Sequence, residues 1–287
     1  MTVTIIGLGL IGGSMALDLK TKRFADRIIG VDRNPEHSKI ALEKGLVDEI
    51  HKLIFAIKEA DLIVLAIPVD GIKKILPFVL DHTTHQVVTD VGSTKFEIVE
   101  TVRHHPKRAC YVPFHPMAGT EFSGPDAAIN GLFSQKVGII CDMADSEQKS
   151  LERITQLTMA LNMRLIFMNA KEHDLHAAYV SHISHLTSFA LALTVLEKEH
   201  NEKNIFNLAS GGFDSTVRLA ASSADMWMPV FSQNRNNVVE VMETYIEKMT
   251  LFKDLIASDA KEDVTRLIHE ANQIQKTLTH FTWNNKD

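Results

Sequence analysis

The 287-residue chain is 45% hydrophobic and 23% charged, with a formal net charge of −6 and no long basic run. Its size exceeds the usual single domain and predicts two, while the acidic balance excludes duplex nucleic acid as a partner. No unbroken apolar run reaches the roughly 20 residues of a membrane span. The opening Thr2-Val3-Thr4-Ile5-Ile6 reads as a strand rather than a signal peptide. Cys110 and Cys141, far apart among strand-forming residues, read as reduced structural thiols. Together these features predict a cytoplasmic protein with no membrane partner.

Up to Met168, short apolar runs alternate with amphipathic stretches. The expected strands are Val3–Ile6, Arg27–Val31, Leu62–Ala66, Val87–Asp90, Ala109–Val112, Val137–Cys141 and Arg164–Met168. Helical spacing marks Pro35–Lys44, Gly71–Leu80 and Ser146–Leu161 between them. Such alternation predicts βαβ units around a mainly parallel sheet. After Asn169 the strand signal ends. Lys171–Glu199, Asn234–Ile256 and Lys261–Phe281 carry apolar residues at helical spacing, and the first of these holds no proline. The expectation is an α/β Rossmann-type domain over residues 1–168 and an all-α domain over 169–287. The apolar helices of the second are best covered by a copy of themselves, which predicts a homodimer.

Gly7-Leu8-Gly9-Leu10-Ile11-Gly12 follows the first strand and opens a helix. Gly7 allows a tight turn, Gly9 lets the backbone approach a pyrophosphate, and Gly12 lets the helix pack against the strand. The N–H groups of Leu10 and Ile11 open the helix that faces the phosphates. Asp32 ends the second strand, where a carboxylate accepts hydrogen bonds from the adenosine ribose and repels a 2′-phosphate, favouring NAD over NADP. Arg33 beside it either stacks on adenine, pairs with a phosphate or is a solvated surface charge. Pro68, in Ile67-Pro68-Val69, either lines the cofactor channel or forms a plain turn.

In Asp90-Val91-Gly92-Ser93-Thr94-Lys95, a strand ends and a helix begins. Ser93 either faces nicotinamide and substrate at the carboxyl end of the sheet or caps the helix, a role open to Thr94 as well. Further on, Phe114-His115-Pro116-Met117-Ala118-Gly119-Thr120-Glu121 places an imidazole and a carboxylate in what reads as a proline-bounded turn. Ordinary turn chemistry needs no histidine there.

The five segments GLGLIGGS (7–14), DVGSTK (90–95), FHPMAGTE (114–121), SHISH (181–185) and GGFDSTVRLA (211–220) resemble, in order, those of the prephenate dehydrogenase family. The resemblance runs from Val3 to about Val241. It implies NAD-dependent oxidative decarboxylation of prephenate to 4-hydroxyphenylpyruvate, a step of tyrosine biosynthesis. By motif match it makes His115 the acceptor for the substrate hydroxyl, held by Ser93, and Arg218 the cation for a substrate carboxylate. His185 contacts the substrate side chain, Glu121 gates the pocket by pairing with an arginine, and Gly211 belongs to the substrate-binding segment. Trp227 is either a pocket wall or plain core. A neutral imidazole suits proton acceptance near neutral pH.

One departure stands out: Asp214 lies four positions before Arg218, with Ser215 where the family often places an acidic residue. A zinc site is disfavoured, since SHISH lacks a metalloprotease glutamate and no cysteine lies nearby. The alternatives are an arogenate (cyclohexadienyl) dehydrogenase, a β-hydroxyacid dehydrogenase and a non-catalytic NAD sensor. The second would need a lysine in the glycine-led helix that here carries Arg218. A sensor has no reason to assemble His115, Ser93 and Arg218.

Overall fold

The structure is a computed structural model that describes residues 1–201 and 204–283. One eight-stranded sheet is formed by β1 (Thr2–Ile6), β2 (Arg27–Val31), β3 (Glu49–Ile50), β4 (Leu62–Leu65), β5 (Val87–Asp90), β6 (Tyr111–Pro116), β7 (Val137–Cys141) and β8 (Arg164–Met168). Their order is β3-β2-β1-β4-β5-β6-β7-β8, and every pairing is parallel except β6 with β7. β4 and β5 are buried along their whole length, as strands covered on both faces must be, and β4 reads as a continuous apolar run. This is the expected Rossmann-type sheet, with the helices α1 (Leu10–Thr21), α2 (Pro35–Glu43), α3 (Leu53–Glu59), α4 (Val69–His82), α5 (Phe96–Glu100) and α6 (Gln148–Ala160) interspersed. The two-residue β3 has no counterpart among the expected strands.

The largest departure in this half concerns β6. A strand over Ala109–Val112 was expected, followed by a turn. Instead a 3₁₀ turn occupies Arg108–Cys110, and the strand runs on through His115 to Pro116. The two prolines are tolerated because the strand changes partner between them. Val88, Thr89 and Asp90 of β5 register with Tyr111, Val112 and Pro113, whereas Phe114, His115 and Pro116 register with β7. His115 is therefore held by a sheet, not a loop.

The chain beyond Met168 is helical, as expected: α7 (Ala170–Ala177), α8 (Ile183–Asn201), α9 (Gly211–Val217), α10 (Ala224–Gln233), α11 (Arg235–Ala257), α12 (Lys261–Ala271) and α13 (Gln273–Trp283). The single helix expected over Lys171–Glu199 is interrupted by a wide π turn at Ala178–His182, a device that re-phases a helix and is common at functional sites. The stretch expected over Lys261–Phe281 is divided at Asn272. The chain forms two compact units, Met1–Val238 and a second beginning at Val239.

The stretch Ala170–His200 is long and apolar enough, by length and composition, to cross a membrane, and only 11% of its most apolar window is buried. The sequence lacked an unbroken run because small and polar residues punctuate it. Exposed Tyr179, Val180, Leu193 and Leu196 make an apolar surface that calls for a cover. Both cysteines are free thiols.

A buried ionic cluster fixes the turn after β5. Asp90, Lys95 and Tyr111 are fully buried. The Asp90 carboxylate pairs with the Lys95 ammonium and accepts from the Tyr111 hydroxyl at 2.5 Å and from Gly92 N–H at 2.9 Å. Burial first, then the Asp90 charge, pushes the Tyr111 phenol well above its usual range. Removing the carboxylate leaves an uncompensated buried ammonium, so Asp90→Ala should lower stability by about 3–5 kcal/mol in urea unfolding. A change near zero would mean that water reaches Lys95.

Candidate active site

The glycine turn after β1 is shaped by contact as much as by flexibility. Gly7 has φ +101°, and a Cβ there would lie 2.3 Å from Ala66 O; at Gly12 it would lie 1.9 Å from Gly7 O. No larger residue fits either place. Gly9 caps α1 with no side-chain hydrogen bond, and the first turn of α1 holds no acidic residue. Its N–H groups therefore remain free for an anion. Asp32, at the end of β2, accepts from Leu8 N–H through Oδ2 and from Asn34 N–H through Oδ1, each at 2.8 Å. The carboxylate thus anchors the glycine turn as well as lying where a ribose would reach it. Arg33 is exposed, and Pro68 precedes α4 as its N-cap.

These residues border a cleft of about 700 Å³, lined by Gly9, Leu10 and Ile11, by Pro68, by Ser93 and by the loop from Ala118 to Asp126. The cleft falls within the roughly 300–1,000 Å³ of small-molecule sites. The close-packed glycines, the uncapped helix start and the carboxylate at the end of β2 fit a dinucleotide. Ser222, Ser223 and Met226 line the same cleft from the helical stretch.

Ser93 is half-buried, and its hydroxyl makes no hydrogen bond among the described residues. Neither Ser93 nor Thr94 caps α5. That role falls to Asp174 of α7, whose carboxylate accepts from Lys95 N–H at 2.7 Å and Phe96 N–H at 2.9 Å. Thr94 instead donates to Gln233 Oε1 at 2.8 Å.

His115 is 8% exposed. Its Nδ1 lies 2.7 Å from Nε2 of His173, and His173 Nδ1 lies 2.7 Å from Asp174 Oδ1. Among the described residues no hydrogen bond joins Ser93 to His115; the partner of His115 Nδ1 is His173 of α7, which packs against α5. Burial, followed by the neighbouring His173, Lys95 and His182, lowers the His115 pKa well below the usual histidine range. The imidazole is neutral at ordinary pH. Sequence reasoning missed His173 and Asp174; the signal was an adjacent His-Asp pair beside an otherwise apolar helical pattern.

His182 and His185 flank the end of the π turn. His182 is 1% exposed, accepts from Asn234 Nδ2 at 3.2 Å and is brought down to about 4, chiefly by burial. His185 is half-buried, with Nδ1 3.1 Å from Ser181 O, and its ring stacks on Trp227 at 3.7 Å between centroids. Burial lowers the His185 pKa, the Ser181 carbonyl opposes this, and the Arg218 charge adds to it. Trp227 is 5% exposed, and its Nε1 has no hydrogen-bond partner among the described residues.

Arg218 opens a short 3₁₀ turn directly after α9 and pairs with Glu121 through Nη1 and Oε2 at 2.8 Å. Its side chain is 52% exposed, so the pair contributes little to stability and can be exchanged. Glu121's own backbone N–H, then Arg218, hold its carboxyl below the usual range. Gly211 opens α9 and is exposed, as is Asp214 in the first turn of that helix. Among the described residues, no three His, Cys, Asp or Glu side chains are grouped to hold a metal ion.

Comparison with known proteins gives this geometry a family. The profile of the prephenate dehydrogenase nucleotide-binding domain matches residues 15–167, and that of the prephenate dehydrogenase dimerization domain matches 169–270. A prephenate dehydrogenase of Bacillus subtilis is 30% identical over 286 residues, covering 96% of this chain and 76% of that protein. Among solved structures, the Aquifex aeolicus prephenate dehydrogenase in complex with hydroxyphenyl propionate and NAD+ superposes with a TM-score of 0.88 at 28% identity, covering 97% of this chain and 98% of that one. Synechocystis arogenate dehydrogenase gives a TM-score of 0.77 at 26% identity, covering 97% and 100% respectively. The glycine turn, the buried His115 and the Arg218–Glu121 pair thus sit in a chain that belongs to the prephenate dehydrogenase family of NAD-dependent oxidoreductases.

Proposed function

We propose that this chain oxidises prephenate with NAD to 4-hydroxyphenylpyruvate and CO₂, with His115 as the proton acceptor. The observation that carries this reading is a buried, neutral imidazole at the end of β6, directly before the loop that lines the dinucleotide cleft. NAD, when bound, accepts a hydride. The glycine turn with Leu10 and Ile11 holds its phosphates, Asp32 its ribose, and Arg33 and Pro68 border it. The His115 imidazole takes the hydroxyl proton as hydride leaves the same ring carbon, and it returns that proton to the phenolate once CO₂ has gone. Aromatisation of the ring supplies the driving force.

Arg218 binds a substrate carboxylate, leaving Glu121 to close the pocket, while the free Ser93 hydroxyl serves substrate or nicotinamide. His185 and Trp227 form the wall against the substrate side chain, and Gly211 opens the helix that delivers Arg218. Residues 1–168 bind the cofactor; residues 169–287 complete the substrate site and dimerise, covering the apolar surface of Ala170–His200 with a second copy. The protein works in the cytoplasm. The similarity to an arogenate dehydrogenase keeps arogenate as the second reading. NADH formation with prephenate and with arogenate, each with NAD and NADP, tests both substrate and cofactor. No NADH with either substrate overturns the reading.

His115→Asn should leave NAD affinity nearly unchanged and reduce kcat by ~10²-fold or more; unchanged turnover removes His115 from the mechanism. Arg218→Ala should act mainly on KM, because a charge-assisted contact to a carboxylate is lost; an unaltered KM assigns the carboxylate to another cation. The base must be unprotonated, and its pKa is lowered, so activity persists as pH falls through ~6.5, the ordinary histidine value, and is lost only below it. An acid limb of kcat centred on that ordinary value would assign the proton to a solvated group instead.

A further inference from the structure

We propose that His173 and Asp174 are positioning residues that dictate which nitrogen of His115 carries the proton, leaving Nε2 as the open acceptor. The inference rests on the reading of His115 as the proton acceptor. Its warrant is a directed chain of hydrogen bonds. Asp174 is held by two backbone N–H groups at the start of α5, Lys95 N and Phe96 N, which meet Oδ1 and Oδ2 respectively. A carboxylate has only acceptor capacity. The third partner of Asp174, Nδ1 of His173 at 2.7 Å, therefore donates.

A neutral imidazole that donates from Nδ1 must accept at Nε2. His173 Nε2 faces Nδ1 of His115 at 2.7 Å, so His115 Nδ1 is the donor and its Nε2 holds the lone pair. The reverse tautomers would set the Nδ1 lone pair of His173 against a carboxylate oxygen. His173 and Asp174 are 1% and 3% exposed, so water does not compete for these bonds. Asp174 is fixed further by Asn234, whose amide donates to its backbone carbonyl at 2.6 Å. Lys95 and His182 lie near enough to His115 to disfavour an imidazolium there. Free histidine, by contrast, exchanges between tautomers, and the more common one protonates Nε2 and would present a donor to the substrate hydroxyl.

The test uses full-length protein labelled with ¹⁵N-histidine, with His115 assigned by its absence from the spectrum of His115→Asn. The relay predicts an Nδ1–H tautomer for His115 in the unaltered protein. His173→Leu should shift His115 toward Nε2–H and lower kcat about 10–100-fold, with KM and NAD affinity held within about twofold. His173→Gln can offer its carbonyl oxygen to His115 and its amide N–H to Asp174, and should restore the tautomer and most of kcat. An Nε2–H His115 in the unaltered protein overturns the proposal, as does a His173→Leu protein that keeps the Nδ1–H form. Equal losses of kcat in the Leu and Gln variants overturn it too. Because the tautomer is read without substrate, an intact relay in a protein inactive on prephenate would support this proposal and defeat only the functional reading.

Discussion

The carboxylate of Asp174 is the constraint on which the site depends. It caps α5 through two backbone N–H groups and accepts a hydrogen bond from His173 Nδ1. Burying a carboxylate is unfavourable unless its lone pairs are filled, and here three donors fill them. One side chain of the helical stretch thereby sets the start of a sheet-side helix and the orientation of the imidazole on β6. Helix and strand cannot shift against each other without leaving a buried donor unpaired, which costs about 1–3 kcal/mol for each group. The precision of the site comes from this shared use of one carboxylate.

Around that anchor the site divides into a fixed part and an exchangeable part. Lys95, Asp90 and Tyr111 form a fully buried ionic cluster directly below the turn that carries Ser93. Its charges are paired, so it supplies rigidity to that turn. His115 and His182 are kept neutral by burial. Arg218 and Glu121, by contrast, meet where the arginine is half exposed. Under the proposed function, the cation for an incoming carboxylate is thus held on an ion pair weak enough to give it up.

How far this arrangement was legible in the sequence follows from the range of the interactions involved. The strands Arg27–Val31, Val87–Asp90, Val137–Cys141 and Arg164–Met168 have the bounds expected of them, because short β-branched and apolar runs bounded by turn residues mark strands locally. Gly12 and Asp32 were legible for a similar reason, since their contacts with Gly7 and Leu8 lie within one βαβ unit, although Gly7 is also pressed by Ala66 after β4. His115 was singled out, yet its surroundings were misread as a turn. Pro113 and Pro116 are ordinary turn punctuation, and nothing local reveals that β6 changes from a parallel to an antiparallel partner between them. The π turn at Ala178–His182 leaves no compositional mark, since it alters helical phase without altering polarity. The capping of α5 by Asp174 spans 79 positions along the chain, and no local pattern encodes a contact of that separation.

Substrate choice falls to the part of the pocket with the fewest fixed hydrogen bonds. Prephenate carries a keto group where arogenate carries an ammonium, and an ammonium needs a carboxylate or several acceptors around it. The wall assigned to the side chain is His185 stacked on Trp227, an aromatic surface whose imidazole is biased toward the neutral form. Arg218 contributes a positive charge to that same imidazole and would repel an ammonium. Glu121 is a carboxylate that could offset it, but Arg218 already occupies it; Asp225 lines the same cleft. We infer that the electrostatics of this wall favour the keto substrate. Use of Glu121 to hold the ammonium of the amino substrate would require it to leave Arg218 while Arg218 still holds a carboxylate, two demands that compete for a single exposed ion pair.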